Sequence, residues 1–292
     1  MRHLAPIWLL LLLAGCGAAP APSAPRYFLV GPAGARDTQG VELKPGFGLL
    51  IVNERTERGV RLGRSKNGHW VPLDALQPAT PSGFSGVALN GALDLAWTVD
   101  KGVPIFSAPS EKSTRRLLPR HALVRPLTDE PSAPGWLRVG KEWLRASDLA
   151  ALRRPVTSPR PAVVGPTEHW IDVDLASSTL VAYEGDRPVF ATLVSAGIGR
   201  PGSPIATPPG VHRIFAKLPS SDMSNFGHTG VVPYDYEAVP NVQYFSGSMA
   251  LHGALWHDRF GVPASHGCVN LAPADAERLF GFTADHSVVR VR

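Results

Sequence analysis

From residue 167 onward the chain reads as short segments in which apolar and polar positions alternate. Trp170-Ile-Asp-Val-Asp-Leu175 has period two, Ala-Ser-Ser turns the chain, and Thr179-Leu-Val-Ala-Tyr183 follows. Glu184-Gly-Asp186 makes a second turn before Pro188-Val-Phe-Ala-Thr-Leu-Val-Ser195. Gly210–Lys217 and Met249–His252 read as further strands, and Val288–Val291 closes the chain as another. Only Pro273–Phe280 predicts a helix, with its proline suited to the first turn. The pattern predicts a mainly β unit with one short helix.

Two upstream stretches are distantly alike. Gly59–Leu76, with Trp70 inside it, and Gly135–Leu149, with Trp143, each predict a short strand, a turn, a Trp-led strand and an Asp-containing turn. They resemble small bacterial SH3-like barrels; one irregular β domain of coincidental Trp spacing is the alternative. Residues 153–166 hold four prolines and no periodicity, and predict a linker. At the other end, Leu4–Ala14 is apolar but too short for a ~30 Å hydrocarbon core, which needs about 20 helical residues. After Met-Arg-His it predicts a secretory signal peptide. Leu13-Ala14-Gly15-Cys16 resembles a lipobox, which implies lipidation of Cys16 and a membrane anchor in front of a flexible Ala/Pro/Ser tether. The expected organisation is 1–15 signal peptide, 16–25 tether, 26–80 and 81–152 SH3-like modules, 153–166 linker and 167–292 catalytic domain.

Composition sharpens this. Glycine and proline together supply 29 + 29 of 292 residues, which suits many short strands and turns and fits a helical bundle poorly. The formal charge of +5 is unevenly spread. Residues 101–160 carry 12 Lys/Arg against 5 Asp/Glu, whereas 167–292 carry 8 against 12. A cationic middle module suits an anionic partner. Nucleic acid is not an expected partner of an exported chain. Two cysteines, Cys16 and Cys268, exclude a disulfide scaffold or a four-thiolate zinc site.

If Cys16 is lipidated, Cys268 is the mature chain's free thiol, either buried and inert or kept for its reactivity. Its neighbours decide. Residues 252–270 carry His252-Gly253, then His257, then Ser265-His266-Gly267-Cys268-Val-Asn270 on a turn after a Gly/Pro-containing loop. A thiol of pKa ~8.5 is only about 3% thiolate at neutral pH and needs a base beside it. A hairpin bringing His252 alongside the thiol, with amides of residues 266–268 converging on one point, makes a cysteine acyl-transfer site. Such a thiol is expected to alkylate quickly near neutral pH. A zinc site of His252, His257, His266 and Cys268 and a sortase-like enzyme remain as alternatives. The histidine spacing suits a closed tetrahedral site poorly.

His252-Gly253 followed by Ser265-His266-Gly267-Cys268-Val269-Asn270 resembles the signature of the YkuD-type L,D-transpeptidases, and the likeness extends over about 167–292. Ala272 departs from the family's usual serine, removing a helix N-cap worth roughly 1 kcal/mol. The resemblance implies Cys268 as nucleophile and His252 as general base, with the Gly253 carbonyl orienting the ring. It implies an oxyanion hole from the amides of His266, Gly267 and Cys268, with Ser265 and Asn270 supporting the loop and Tyr244 and Trp256 in the substrate groove. No cofactor is expected. The implied reaction cleaves the bond between the L-centre of meso-diaminopimelate and D-Ala in a peptidoglycan tetrapeptide stem. The acyl group then passes to an amine: a second stem or an outer-membrane lipoprotein. L,D-carboxypeptidase or lipoprotein–peptidoglycan amidase activity on the same fold, or a non-catalytic wall-binding lipoprotein, are the alternatives. The expected location is the periplasmic face of the envelope, at the outer membrane where the host has one.

Overall fold

The computed structural model describes residues 26–113, 115–125, 133–225 and 232–292. The expected signal peptide, Cys16 and the tether lie outside the described residues. Strands dominate, and Pro273–Phe282 is the one α-helix among the described residues. No helix there is long and apolar enough to cross a membrane.

The C-terminal unit is built on a sheet ordered Gly210–Arg213, Val288–Val291, His169–Asp174, Thr179–Glu184, Arg187–Leu193 and Val87–Ala88. Alternation sends its side chains to two cores. Ile171, Val173, Leu180 and Ala182 face the helix and the strands Met249–Gly253 and Val269–Leu271. Trp170, Val181, Tyr183 and Leu193 face the other way and are covered by Leu95, Trp97, Val99 and Val164. The polar half of the 170–175 alternation is therefore buried as well. Asp172 is tolerated there because Arg290 and Arg292 both hold its carboxylate, at 2.7 and 3.0 Å.

This packing moves two expected boundaries. Residues 84–95 are not the start of a separate module: Val87–Ala88 adds an edge strand to the catalytic sheet, and Leu95 sits in its second core. Gly86 makes that approach possible, because a Cβ there would lie 2.4 Å from the Ala191 carbonyl oxygen. Buried Asp275, in the helix's first turn, clasps the same segment by accepting the Gly86 N–H at 2.9 Å and the Ser85 hydroxyl at 3.1 Å. Likewise the Pro-rich stretch 153–166 has little regular structure yet is pinned down. Ser158 N–H donates to the Tyr183 hydroxyl, Arg290 donates to the Pro159 carbonyl, and Val164 is buried.

Two elements also differ from expectation. The stretch Gly210–Lys217 is not one strand, because Ile214 and Phe215 carry the chain from one sheet to the next. Gly210–Arg213 pairs with Val288–Val291, whereas Ala216–Ser224 pairs with Asp235–Ser246. The helix Pro273–Phe282 runs two residues past its expected end; Ala272 ahead of it gives no side-chain cap, as its sequence implies, and its buried face is Asp275, Ala276 and Leu279.

Upstream, residues 26–78 enclose their own core of Phe28, Val30, Phe47, Leu49, Ile51 and Val71. Residues 96–152 enclose another around Val103, Ile105, Leu118 and Leu144. The two alike stretches fold in the same order. Val60–Ser65, Trp70–Pro72 and a 3-10 turn at Leu73–Ala75 correspond to Trp136–Val139, Glu142–Arg145 and a 3-10 segment at Ala146–Ala151.

Candidate active site

Cys268 stands one residue before the strand Val269–Leu271, which lies parallel to Met249–Gly253 with His252 opposite Asn270. The two strands do not form a hairpin; residues 254–268 cross over between them. With His252 in register with Asn270, and Cys268 two residues before Asn270 on the same side, the thiol and the imidazole face one cavity. Met223, Tyr234, Tyr236, Trp256, His257, Arg259, His266 and Asn270 also line it.

His252 is only 2% exposed, and its Nδ1 lies 3.2 Å from the Gly253 carbonyl oxygen. Burial pushes the imidazole down to about 4, against a smaller opposing pull from that carbonyl. Cys268 as a residue is only half-buried, but protein atoms crowd the sulfur and push the thiol up to about 11, while the Ala250 amide pulls the other way. The sulfur also points toward the Ser248 carbonyl at 3.8 Å. At these values both groups lining the cavity are neutral near pH 7.

The turn before the cysteine is held from inside. The Ser265 hydroxyl donates to the Cys268 carbonyl and accepts the Gly267 N–H at 3.1 Å. That amide is therefore already engaged. Gly267 has φ +121°, and a Cβ on it would sit 2.3 Å from Met249 Sδ. Its carbonyl accepts the Thr207 hydroxyl at 2.8 Å, which ties the turn to residues 197 and 207. Asn270 braces the base of the loop twice. Its backbone exchanges hydrogen bonds with Ser195, and its side-chain amide meets His257 Nε2 at 2.9 Å. His257 is pushed down to about 4, by burial first and then by neighbouring His252 and Arg259. Among the described residues, no group of three or more His, Cys, Asp or Glu is placed to hold a metal ion.

The aromatic wall differs from expectation. Trp256 lines the cavity, but Tyr244 does not. Both Tyr236 and Tyr244 pack against Val239, Val242 and Ala250. The Tyr244 ring instead stacks near Phe215, and its hydroxyl meets Ser221 at 3.2 Å. Tyr234 and Tyr236 occupy the wall in its place. Tyr236 lies flat on Trp256, with centroids 3.8 Å apart and planes 7° apart. Tyr234 stacks on the His266 ring at 5.2 Å, where burial lowers the imidazole pKa. Sequence reasoning missed both tyrosines, although the Pro-Tyr-Asp-Tyr run at 233–236 was the available signal.

Residues 168–291 match the family model of the YkuD-type L,D-transpeptidase catalytic domain. No curated protein matches the chain. Among solved structures, an Enterococcus faecium L,D-transpeptidase is 21% identical, with 48% of this chain and 55% of that one covered at TM-score 0.38. A Stackebrandtia nassauensis L,D-transpeptidase is 27% identical, with coverages of 44% and 57% at TM-score 0.33. A Mycobacterium smegmatis L,D-transpeptidase is 18% identical, with coverages of 74% and 89% at TM-score 0.39. The chain thus spans little more than half the length of the first two. At TM-scores this low it is the family match, not the superposition, that assigns the domain. The stretch from Glu168 to Val291 belongs to the YkuD family of L,D-transpeptidase catalytic domains.

Proposed function

We propose that the protein is a cell-wall cysteine acyltransferase that uses Cys268 to open the bond between the L-centre of meso-diaminopimelate and D-Ala in a tetrapeptide stem. The observation that carries this reading is the neutral His252, its ring held through Nδ1 at Gly253, facing the same cavity as the Cys268 thiol. His252 Nε2 takes the thiol proton as sulfur attacks the carbonyl carbon. The amides of His266 and Cys268 stabilise the oxyanion, since the Gly267 N–H is held by Ser265. Collapse breaks the C–N bond, the proton passes from His252 to the departing amine, and D-Ala leaves a thioester on Cys268. An amine from a second stem or a lipoprotein lysine then takes the acyl group, with His252 as base again. Water in that role gives L,D-carboxypeptidase activity.

The middle module's positive charge supports a role in holding the enzyme to the anionic wall, and the N-terminal sequence supports export and anchoring through lipidated Cys16. Cys16→Ser should then release the protein from membrane fractions. For the reaction itself, purified protein with a disaccharide-tetrapeptide should give an acyl adduct on Cys268 and free D-Ala, both lost in Cys268→Ser. D-Ala release that survives this substitution would refute the mechanism.

A further inference from the structure

Glu237 is 1% exposed and lies next to Tyr236 on the strand Asp235–Ser246, yet all the groups that hold it come from the first β module. Its Oε2 accepts the N–H groups of Leu50 at 3.0 Å and Lys66 at 3.1 Å. Its Oε1 accepts the Ser65 hydroxyl at 2.8 Å and the Asn67 N–H at 3.2 Å. A buried carboxylate is costly unless its lone pairs are filled, and here four donors from two paired strands and the turn after them fill them. Two further contacts fasten the same edge. Tyr236 pairs in parallel register with Gly48, and Lys66 Nζ reaches both oxygens of Asp222 at 2.8 Å. Asp222 in turn accepts the Ala238 N–H at 2.7 Å, one residue beyond Glu237.

What this fastening holds is the cavity wall. Tyr236 carries the Trp256 ring flat against it, and Trp256 lies 5.8 Å from the His252 ring. We propose that residues 26–78 form a fixed outer support of the active-site cavity, with Glu237 as the positioning residue that locks the Tyr236–Trp256 wall in place for the stem peptide. The proposal rests on the transferase reading above. The wall touches the peptide and not the reacting atoms, so its loosening weakens substrate binding and spares the chemical step.

Glu237→Gln tests this in the full chain. It keeps the shape, but whichever way the amide turns, its NH2 meets a backbone N–H that needs an acceptor. The expected result is a KM for disaccharide-tetrapeptide raised about 10-fold with kcat within about 2-fold. Backbone hydrogen exchange should speed up in 234–246 and 254–258 and stay unchanged in the core of 26–78. Ser65→Ala, which removes one donor, should move both readouts the same way by a smaller factor. Unchanged KM with unchanged exchange would overturn the proposal. So would a lowered active-enzyme fraction with uniform acceleration of exchange and an unaltered KM, which marks a merely structural role. If the wild-type protein turns over no stem peptide, the proposed function fails. The exchange pattern still decides whether Glu237 holds the wall.

Discussion

His252 Nδ1 lies 3.2 Å from the carbonyl oxygen of Gly253, its own neighbour in the chain. A neutral ring donates there, so its hydrogen is on Nδ1 and Nε2 keeps a lone pair for the cavity. Burial sets the imidazole at about 4, so it accepts a proton only above that pH. The acylation rate should be level from about pH 6 to 8 and fall on the acid side with a midpoint near 4. His252→Ala should slow acylation by about 10²–10⁴-fold and remove that limb. Acyl-enzyme formation followed by mass spectrometry across pH checks it; a midpoint at an ordinary histidine's 6.5 would contradict the assignment.

The thiol, pushed up to about 11, is roughly one part in 10⁴ thiolate at pH 7. Iodoacetamide, which needs the thiolate and gains nothing from a general base, should therefore modify Cys268 on the order of 10² times more slowly than free cysteine. The rate should climb about tenfold per pH unit to pH 10. This reverses the expectation of rapid labelling drawn from the motif alone, which rested on a base beside the thiol. Timed alkylation of the Cys268 peptide distinguishes the two.

Gly267→Ala should abolish acyl-enzyme formation and lower the thermal midpoint. Two things forbid a side chain: the φ of +121° and the closeness of Met249 Sδ. The double variant with Met249→Ala clears the space but not the backbone strain. It should stay inactive; recovered acylation would mean that crowding alone fixes the glycine.

Two arginines of the basic middle module are held by other groups. Arg116 is engaged by Glu142 at 2.6 Å, and Arg120 donates to the Phe260 carbonyl at 3.4 Å, inside the catalytic unit. Reversing those charges would disturb packing as well as wall binding. Lys101, Lys112 and Arg115 are exposed. Changing all three to Glu should weaken binding to isolated sacculi, most at low salt, with tetrapeptide turnover unchanged. Sedimentation of the protein with sacculi at two salt concentrations measures it.

The short strands of the catalytic unit were legible because alternation and turn residues are local, and Val288–Val291 falls where the pattern predicts it. The helix, too, starts at the expected proline and runs two residues past the predicted end. That Cys268 and His252 come together at one cavity was legible from their motif. The wall was not. Tyr236 and Tyr244 are both tyrosines on one strand and pack against the same small cluster, so nothing local in the pattern tells which of them lines the cavity. Nor could the pattern show that 84–95 belong with the catalytic sheet. An edge strand of two residues carries no periodicity, and the clasp on Gly86 comes from Asp275, 189 residues away.

That clasp has a practical side. The strand Arg187–Leu193 would be the open rim of the catalytic sheet were Val87–Ala88 not laid along it. An unpaired rim is a template on which another molecule can add its own strand. A fragment begun at residue 167 would carry the whole chemical apparatus and still leave this rim bare, inviting edge-to-edge association between copies. The upstream chain thus acts as a built-in guard against self-assembly, and it does so with only two residues of strand.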